Sequence, residues 1–376
     1  NFAMGVVTGI VQEFQFGMNW SNYSRFVGDI FGAPLAMEGL LAFFLEATFI
    51  GLWIFGWGKL PKGLHLATIW VTSIATMLSA YFILAANAFM QNPVGYELNP
   101  ETQRAELTDI VAVLANPVAV YQFPHTIFAS VMFAATVMVA VAAWHLSRRQ
   151  YIPEMRASLR FGLWANILAF LGVGLTGHSL GMVMTATQPM KMAAAEALYA
   201  NASGADASFS IFSLGTPDGL HEIFSIRIPY LLSFLSHGDF TSTVHGINDL
   251  QAAYTEMYCG AGSTVLTCPS DGSFTPIIWV TYWAFRWMIG LGAFATLVSV
   301  VGLWITRKDR DVPAWAWKVA IWTAPVPMIA SLVGWIFTEM GRQPWLVFGV
   351  MTTESGVSPG VPGWAVLVSM LVFTLV

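Results

Sequence analysis

Trp335-Ile336-Phe337-Thr338-Glu339-Met340-Gly341-Arg342-Gln343-Pro344-Trp345 closes an apolar run that starts near residue 314. Such a run reads as a membrane-crossing helix, since about 20 residues span the roughly 30 Å hydrocarbon core. A carboxylate and a guanidinium stand three residues apart where that helix ends. Charged groups at membrane depth are costly, so they persist where they pair, bind a cofactor or move protons.

The rest of the chain has the same character. Of its 376 residues 56% are apolar and only 10% charged, against about 25% charged in soluble domains. The fold class is therefore an all-α polytopic membrane protein, a helical bundle. Hydropathy places spans near 2–18, 34–57, 66–90, 122–146, 158–185, 277–305, 314–339 and 363–376. The sequence opens without Met and without a signal peptide, and its first span reads as the second half of a hairpin, so at least one earlier helix is expected to be missing.

Lys59, Lys62, Arg148, Arg149, Arg156, Arg160, Arg307, Lys308, Arg310 and Lys318 fall in three alternate connections. The excess of Lys and Arg assigns these connections to the cytoplasm. Residues 91–121, 186–276 and 340–362 then lie outside. The net charge of −5 says little about partners. Basic residues confined to one membrane face, with no phosphate-loop or dinucleotide pattern, argue against nucleic acid and nucleotide chemistry.

Three regions follow: helices in 1–185, an outer loop over 186–276, and helices in 277–376. The loop is longer than ordinary connections and reads as functional. It contains short amphipathic pieces, Met192–Tyr199 and Ile228–Leu235, and both cysteines, Cys259 and Cys268. On an oxidising face these can form a disulfide; two free thiols are the alternative.

Glu38 and Glu46 share one span. Eight positions is just over two turns, which places both carboxylates on one side of the helix about 12 Å apart. A proton relay is the sharper reading; protonated carboxyls that merely join helices are the plainer one. Glu13 is a weaker candidate for the same interior.

His125 begins its span at the outer end, and Met288 lies about three turns into its own span from the same face. Each alone has an ordinary reading, an interfacial histidine and a packed methionine. A His and a Met at similar depth can also ligate a low-spin haem, and Arg286 can neutralise a propionate; spacing alone does not establish this. His65, His145 and His178, near span ends, read as solvated or hydrogen-bonded. No His-His or His-x-x-x-His pair occurs, which argues against copper or zinc. Lys191 and Glu196, taken alone, read as an exposed helix pair.

At this point the residues resemble a family. Gly341-Arg342-Gln343-Pro344-Trp345 is similar to the signature of cytochrome bd quinol oxidase subunit I. So are the run Gly9-Ile10-Val11-Gln12-Glu13-Phe14-Gln15-Phe16-Gly17-Met18-Asn19-Trp20 and the stretch Ser24-Arg25-Phe26-Val27-Gly28-Asp29. The likeness runs through essentially the whole chain.

The resemblance implies His125 and Met288 as axial ligands of a low-spin haem b, with Arg286 beside it. It implies Glu339 as a ligand of one of two high-spin haems, a second haem b and haem d, all near the outer face. Trp335 would pack between cofactors and Arg342 would sit near propionates. Glu38 and Glu46 match a proton path, with Ser79 a hydrogen-bonding member. Lys191 and Glu196 match the quinol site of the outer loop, called the Q-loop. The resemblance also implies that the other high-spin haem takes its histidine from the first helix, which is the helix expected to be missing here. The short loop with two cysteines is similar to actinobacterial members, and Ala47 stands where some members carry a hydroxyl.

The implied activity is copper-free oxidation of quinol outside and reduction of dioxygen to water, with charge separation but no pump. A second large subunit is implied, small single-helix subunits are possible companions, and the location is the bacterial cytoplasmic membrane. Two rivals differ in class: a two-haem cytochrome b lacking the far-red band of a chlorin haem, and a haem-free proton-coupled transporter using Glu38 and Glu46.

Overall fold

The structure is a computed structural model that describes residues 2–216, 222–260, 263, 266–307 and 312–375. Lys308, Arg310 and His221 lie outside the described residues.

The chain opens with α1 (Phe2–Met18) and α2 (Ser21–Met37), which continues through a π-helical turn, Glu38–Phe43, into α3 (Phe44–Phe55). Helix α4 (Lys62–Gln91) starts after Pro61, which has no N–H to leave unpaired. A hairpin follows, β1 (Tyr96–Asn99) and β2 (Arg104–Leu107), then the short α5 (Ile110–Leu114). Asp109 caps α5 by accepting the Val111 and Ala112 N–H groups at 2.8 and 3.1 Å. Two long helices come next, α6 (Pro117–Ser147) and α7 (Ile152–Thr187).

The 186–276 region is not plain loop. It holds α8 (Pro189–Glu196), a hairpin of β3 (Phe209–Gly215) and β4 (Glu222–Ile228), α9 (Leu231–His237) and α10 (Ile247–Cys259). Of the two amphipathic pieces, the first is largely α8; the second joins the end of β4 to α9. Helices α11 (Ile278–Ile305), α12 (Ala314–Trp322) and α13 (Val326–Met340) follow. The chain closes with β5 (Trp345–Val347), β6 (Met351–Thr352), α14 (Thr353–Gly356) and α15 (Gly363–Leu375).

All eight expected spans are helical. Among the described residues six helical stretches are long and apolar enough to cross a membrane: 21–55, 62–91, 110–147, 152–187, 278–305 and 314–340. The chain is a multi-pass helical membrane protein.

Packing divides it into two compact units, one of residues 1–119, 255–274 and 344–376, the other of 120–254 and 275–343. The first buries Tyr23, Phe26, Ile30, Phe31, Phe89 and Val347, with edge-to-face rings running Tyr23–Phe31–Phe89–Tyr96. Cys259 and Cys268 form a disulfide in this unit. Beside it Trp345 stacks on Phe274 at 5.4 Å and meets Tyr258 at 4.7 Å. Thr352 donates its N–H to the Leu266 carbonyl at 2.7 Å.

In the second unit small residues let helices approach. A β-carbon at Gly162 would fall 2.9 Å from Val139, and one at Gly302 would fall 3.1 Å from Leu163. Such close contact replaces the hydrophobic drive that lipid removes. The buried Asn166 amide donates to the Ser299 hydroxyl at 2.9 Å and the Ala295 carbonyl at 3.2 Å, joining α7 to α11.

Candidate functional site

His125 sits on α6 with its Nδ1 3.2 Å from the Val173 carbonyl and 3.3 Å from the Thr176 hydroxyl of α7. A carbonyl can only accept, so Nδ1 carries the proton and Nε2 keeps a lone pair. An imidazole held by its far nitrogen is the arrangement proteins use to orient a metal ligand. Gly177 makes room for the ring: a β-carbon there would lie 3.1 Å from Cε1.

Met288 on α11 faces another glycine. A β-carbon at Gly334 of α13 would fall 2.8 Å from the Met288 sulfur. Both sulfur and imidazole are therefore positioned by the absence of a side chain opposite.

Two residues from Met288, Arg286 is the centre of a buried polar cluster. Its Nη2 donates to Glu196 Oε2 at 2.7 Å and its Nε to the Ser210 carbonyl at 2.5 Å. The Ser210 N–H also donates to Glu196 Oε2, at 2.9 Å, and its hydroxyl meets the Tyr282 hydroxyl at 2.9 Å. The guanidinium lies 4.4 Å over Tyr282 and 4.5 Å over Phe209. Helix α8, strand β3 and helix α11 thus meet at one ion pair, with the Glu196 side chain only 1% exposed. Burial pushes the Glu196 carboxyl above the usual carboxylate range, and Arg286 opposes the shift. Glu196 Oε1 and Arg286 Nη1 are buried without a partner among the described residues. A buried acceptor and donor left open cost on the order of 1–3 kcal/mol each unless a ligand meets them.

Lys191 lies five positions before Glu196 on α8, about 140° around the helix, and faces a different neighbourhood. Its ammonium is 5.6 Å over the Phe337 ring, and its nearest charges are Glu339 and Arg342. Burial lowers its pKa to about 7, Glu339 opposing and Arg342 adding. The exposed reading of this pair fails: Lys191 and Glu196 are both buried. Residues of an isolated loop helix look solvated in sequence; here the loop folds against α11 and α13.

On α13 the Glu339 carboxylate accepts from Arg342 Nη2 at 2.5 Å, the arginine 2% and the glutamate 37% exposed. Trp335, one turn earlier on the same face, is also 37% exposed. Arg342 is covered by protein while Glu339 and Trp335 present themselves outward.

In the other unit, Glu38 opens the π turn and accepts the Ser79 hydroxyl of α4 at 2.6 Å. Glu46 is buried on α3 and hydrogen-bonded by Thr76. In a regular helix residues eight apart are turned by about 80°. A π turn absorbs one extra residue, which restores close to two whole turns and brings the acids into line. Glu13, on α1, is exposed.

The remaining histidines differ. His65 bonds the Trp53 carbonyl at 2.9 Å and His145 meets Gln150 at 3.1 Å. His178 is neither solvated nor hydrogen-bonded at Nδ1; that atom is buried and the ring stacks on Phe234 at 4.9 Å. Ser210, Tyr282, Thr176, Gly177 and Gly334 were not singled out from sequence, since nothing local marks a serine or glycine as the neighbour of a distant ligand.

Comparison with known proteins identifies the family of the chain. Residues 1–376 match the family described as cytochrome bd terminal oxidase subunit I. The chain is 43% identical over 376 residues to cytochrome bd ubiquinol oxidase subunit 1 of Bacillus subtilis, covering 99% of this chain and 77% of that protein. It is 34% identical over 422 residues to cytochrome bd-II ubiquinol oxidase subunit 1 of Escherichia coli, covering 100% and 81%. The solved structure of bd oxidase from Geobacillus thermodenitrificans superposes with a TM-score of 0.83 at 29% identity, over 99% of this chain and 81% of that one.

Proposed function

Because this chain belongs to the cytochrome bd terminal oxidase subunit I family, we propose that it oxidises quinol at the Glu196–Arg286 cluster and passes the electrons to dioxygen. It is a subunit of a haem-containing terminal quinol oxidase, and it works with a partner subunit. Two quinols reduce one dioxygen to two waters, so four protons leave quinol and four are consumed.

The observation that supports the quinol site is the open pair of atoms at the buried ion pair. Glu196 Oε1 accepts the quinol hydroxyl proton, its basicity raised by burial. Arg286 holds the carboxylate in place through Nη2 and turns Nη1 toward an anionic group. A haem propionate fits that donor. Lys191, between Glu339 and Arg342 in charge, takes the other side of α8.

The residues also fit haem. His125 presents Nε2 with its tautomer fixed from behind, Met288 presents a thioether beside Gly334, and Glu339 presents a carboxylate oriented by Arg342. His125 and Met288 would hold a low-spin haem b. Glu339 would ligate one of two high-spin haems, haem b and haem d, with Trp335 packed beside them. Haem bound there supplies one-electron chemistry and the place where dioxygen is reduced, without copper. Glu38, Ser79 and Glu46 hand protons inward from the cytoplasmic side, so charge separates across the bacterial cytoplasmic membrane without a pump. Small single-helix subunits accompany the two large ones.

Glu196→Gln tests the quinol site. It keeps the shape and an acceptor for Ser210 but removes the base. Quinol oxidation should fall by at least tenfold, the haem spectrum should persist, and an artificial electron donor should still support oxygen uptake. Normal turnover with quinol would remove Glu196 from the site.

A further inference from the structure

Hairpin β3–β4 is inside out. Its pairs Phe209↔Ile228, Phe212↔Ile226 and Leu214↔Phe224 alternate with Ser210↔Arg227, Ser213↔Ser225 and Gly215↔Glu222. Single-residue irregularities between Ser210 and Phe212 and between Leu214 and Gly215 keep the alternation in step. One face is thus wholly apolar and the other polar. In a water-soluble hairpin the apolar face would be the buried one. Here Ser210 and Ser213 are buried, whereas Leu214, Phe224, Ile226 and Ile228 are 47, 53, 51 and 43% exposed. The charges on the polar face are neutralised there, Arg227 pairing with Glu222 at 2.5 Å and donating to the Ala197 carbonyl at 3.2 Å.

The hairpin's position supplies the occupant. Ser210 touches Tyr282 and Arg286, and Phe212 packs on Trp283 at 5.4 Å. These residues lie four to eight positions into α11, or about 6–12 Å from its start. Trp279 and Trp287, one turn either side of Trp283 on the same stripe, are 71 and 57% exposed. On a membrane-crossing helix such a stripe of tryptophans marks the level of the lipid headgroups. The apolar face of the hairpin is continuous with a surface that the bilayer already covers.

We propose that β3–β4 lies in the membrane interface on the loop side of the bilayer, its Phe212–Leu214–Phe224–Ile226–Ile228 face on the acyl chains. Its open strand edges stay at headgroup level, where water and headgroups satisfy them; a two-stranded sheet cannot sink into the hydrocarbon. Strand β3 is then a wall one strand thick. Lipid lies against one side, and the other side holds Glu196 through Ser210. The placement in lipid stands on exposure and register, independently of what binds at Glu196.

The test uses the assembled oxidase in nanodiscs of phosphatidylethanolamine and phosphatidylglycerol. Ile226→Cys or, separately, Leu214→Cys carries an environment-sensitive fluorophore, the two native cysteines being bonded to each other. Asp206→Cys, exposed in the same loop region, is the aqueous control. Lipids bearing a nitroxide near the headgroup end of the acyl chain should strongly quench the labels at 226 and 214 but not at 206, and aqueous iodide should do the reverse. Iodide quenching at 226 and 214 would overturn the proposal by showing a solvated face. Quenching by neither agent would overturn it by showing a face covered by protein. Two positions labelled separately guard against one variant failing to assemble.

Discussion

At the residue scale, the proposed axial pair makes the sharpest demands. Met288→Leu keeps the volume and removes the sulfur, so the low-spin haem signal should vanish while the fold survives; an unchanged spectrum refutes the ligation. Gly334→Ala reaches the same atom from the other side. The added methyl would collide with the sulfur 2.8 Å away, an overpacking worth about 1–3 kcal/mol. The low-spin band should shift or weaken with the high-spin bands intact, and a normal low-spin band would show that Met288 moves freely. Glu339→Ala should remove one high-spin haem, which quantitative haem extraction checks; retention of all three would end its assignment as a ligand. Glu339 and Arg342 stood out in sequence because charge at membrane depth is costly, whereas His125 and Met288 each had an ordinary reading and took ligand roles only through the family resemblance. Their supports were not legible in sequence. Arg286 meets Glu196 across 90 positions and Tyr282 meets Ser210 across 72, and no local pattern encodes which buried carboxylate an arginine finds.

At the element scale, helices announced themselves and strands did not. A span needs only length and apolarity, so all six helical stretches able to cross a membrane appeared in the hydropathy of the chain. Hairpin β3–β4 follows the alternation of a soluble strand while reversing its faces, so pattern alone could not tell which side is buried. The π turn at Glu38–Phe43 was equally silent, since one extra residue in a helix leaves composition unchanged. Its effect is testable. Ser79→Ala removes the bond to Glu38, and a typical hydrogen bond contributes about 0.5–1.5 kcal/mol. Oxygen reduction under excess quinol should slow several-fold with haem content unchanged, and an unaffected rate would detach Ser79 from the proton path. The turn after α9 gives a pH prediction. Asp239 accepts the Ser242 hydroxyl at 2.5 Å and the Thr241 and Ser242 N–H groups at 2.9 and 2.7 Å. These donors hold its pKa at about 2, below the usual 3.8. A depressed carboxylate pKa stabilises the fold above the unfolded value and loses that effect as pH falls through the folded one. Amide-exchange protection of Thr241 and Ser242 should therefore be full above about pH 4 and fade toward about pH 2, and Asp239→Asn should flatten this dependence. A wild-type profile equally flat would deny the carboxylate its role.

At the scale of the whole molecule, sidedness decides what the chemistry accomplishes. Lys59 and Lys62 precede or open α4, Arg148 and Arg149 turn α6 into α7, Arg156 and Arg160 follow on α7, and Arg307 and Lys318 flank the α11–α12 connection. The excess of basic residues at these alternate connections orients them to the cytoplasm. On that assignment the Q-loop elements α8, β3 and β4 would lie outside, one crossing from the Arg148–Arg160 connection and one from the Arg307–Lys318 connection. On the proposed reading, quinol oxidised beside Glu196 would shed its protons outside, and Glu38 and Glu46 would offer a route for protons taken from inside. Electrons moving between those places would then complete a charge displacement that needs no further translocation. In vesicles with the oxidase oriented uniformly, quinol and oxygen should release about one proton per electron on the Q-loop side and consume about one on the other. Glu38→Gln should slow uptake and release together, because electron flow cannot continue without protons for water. Release well above one proton per electron would establish a pump, and release on the basic side would invert the topology on which the route through Glu38 and Glu46 depends.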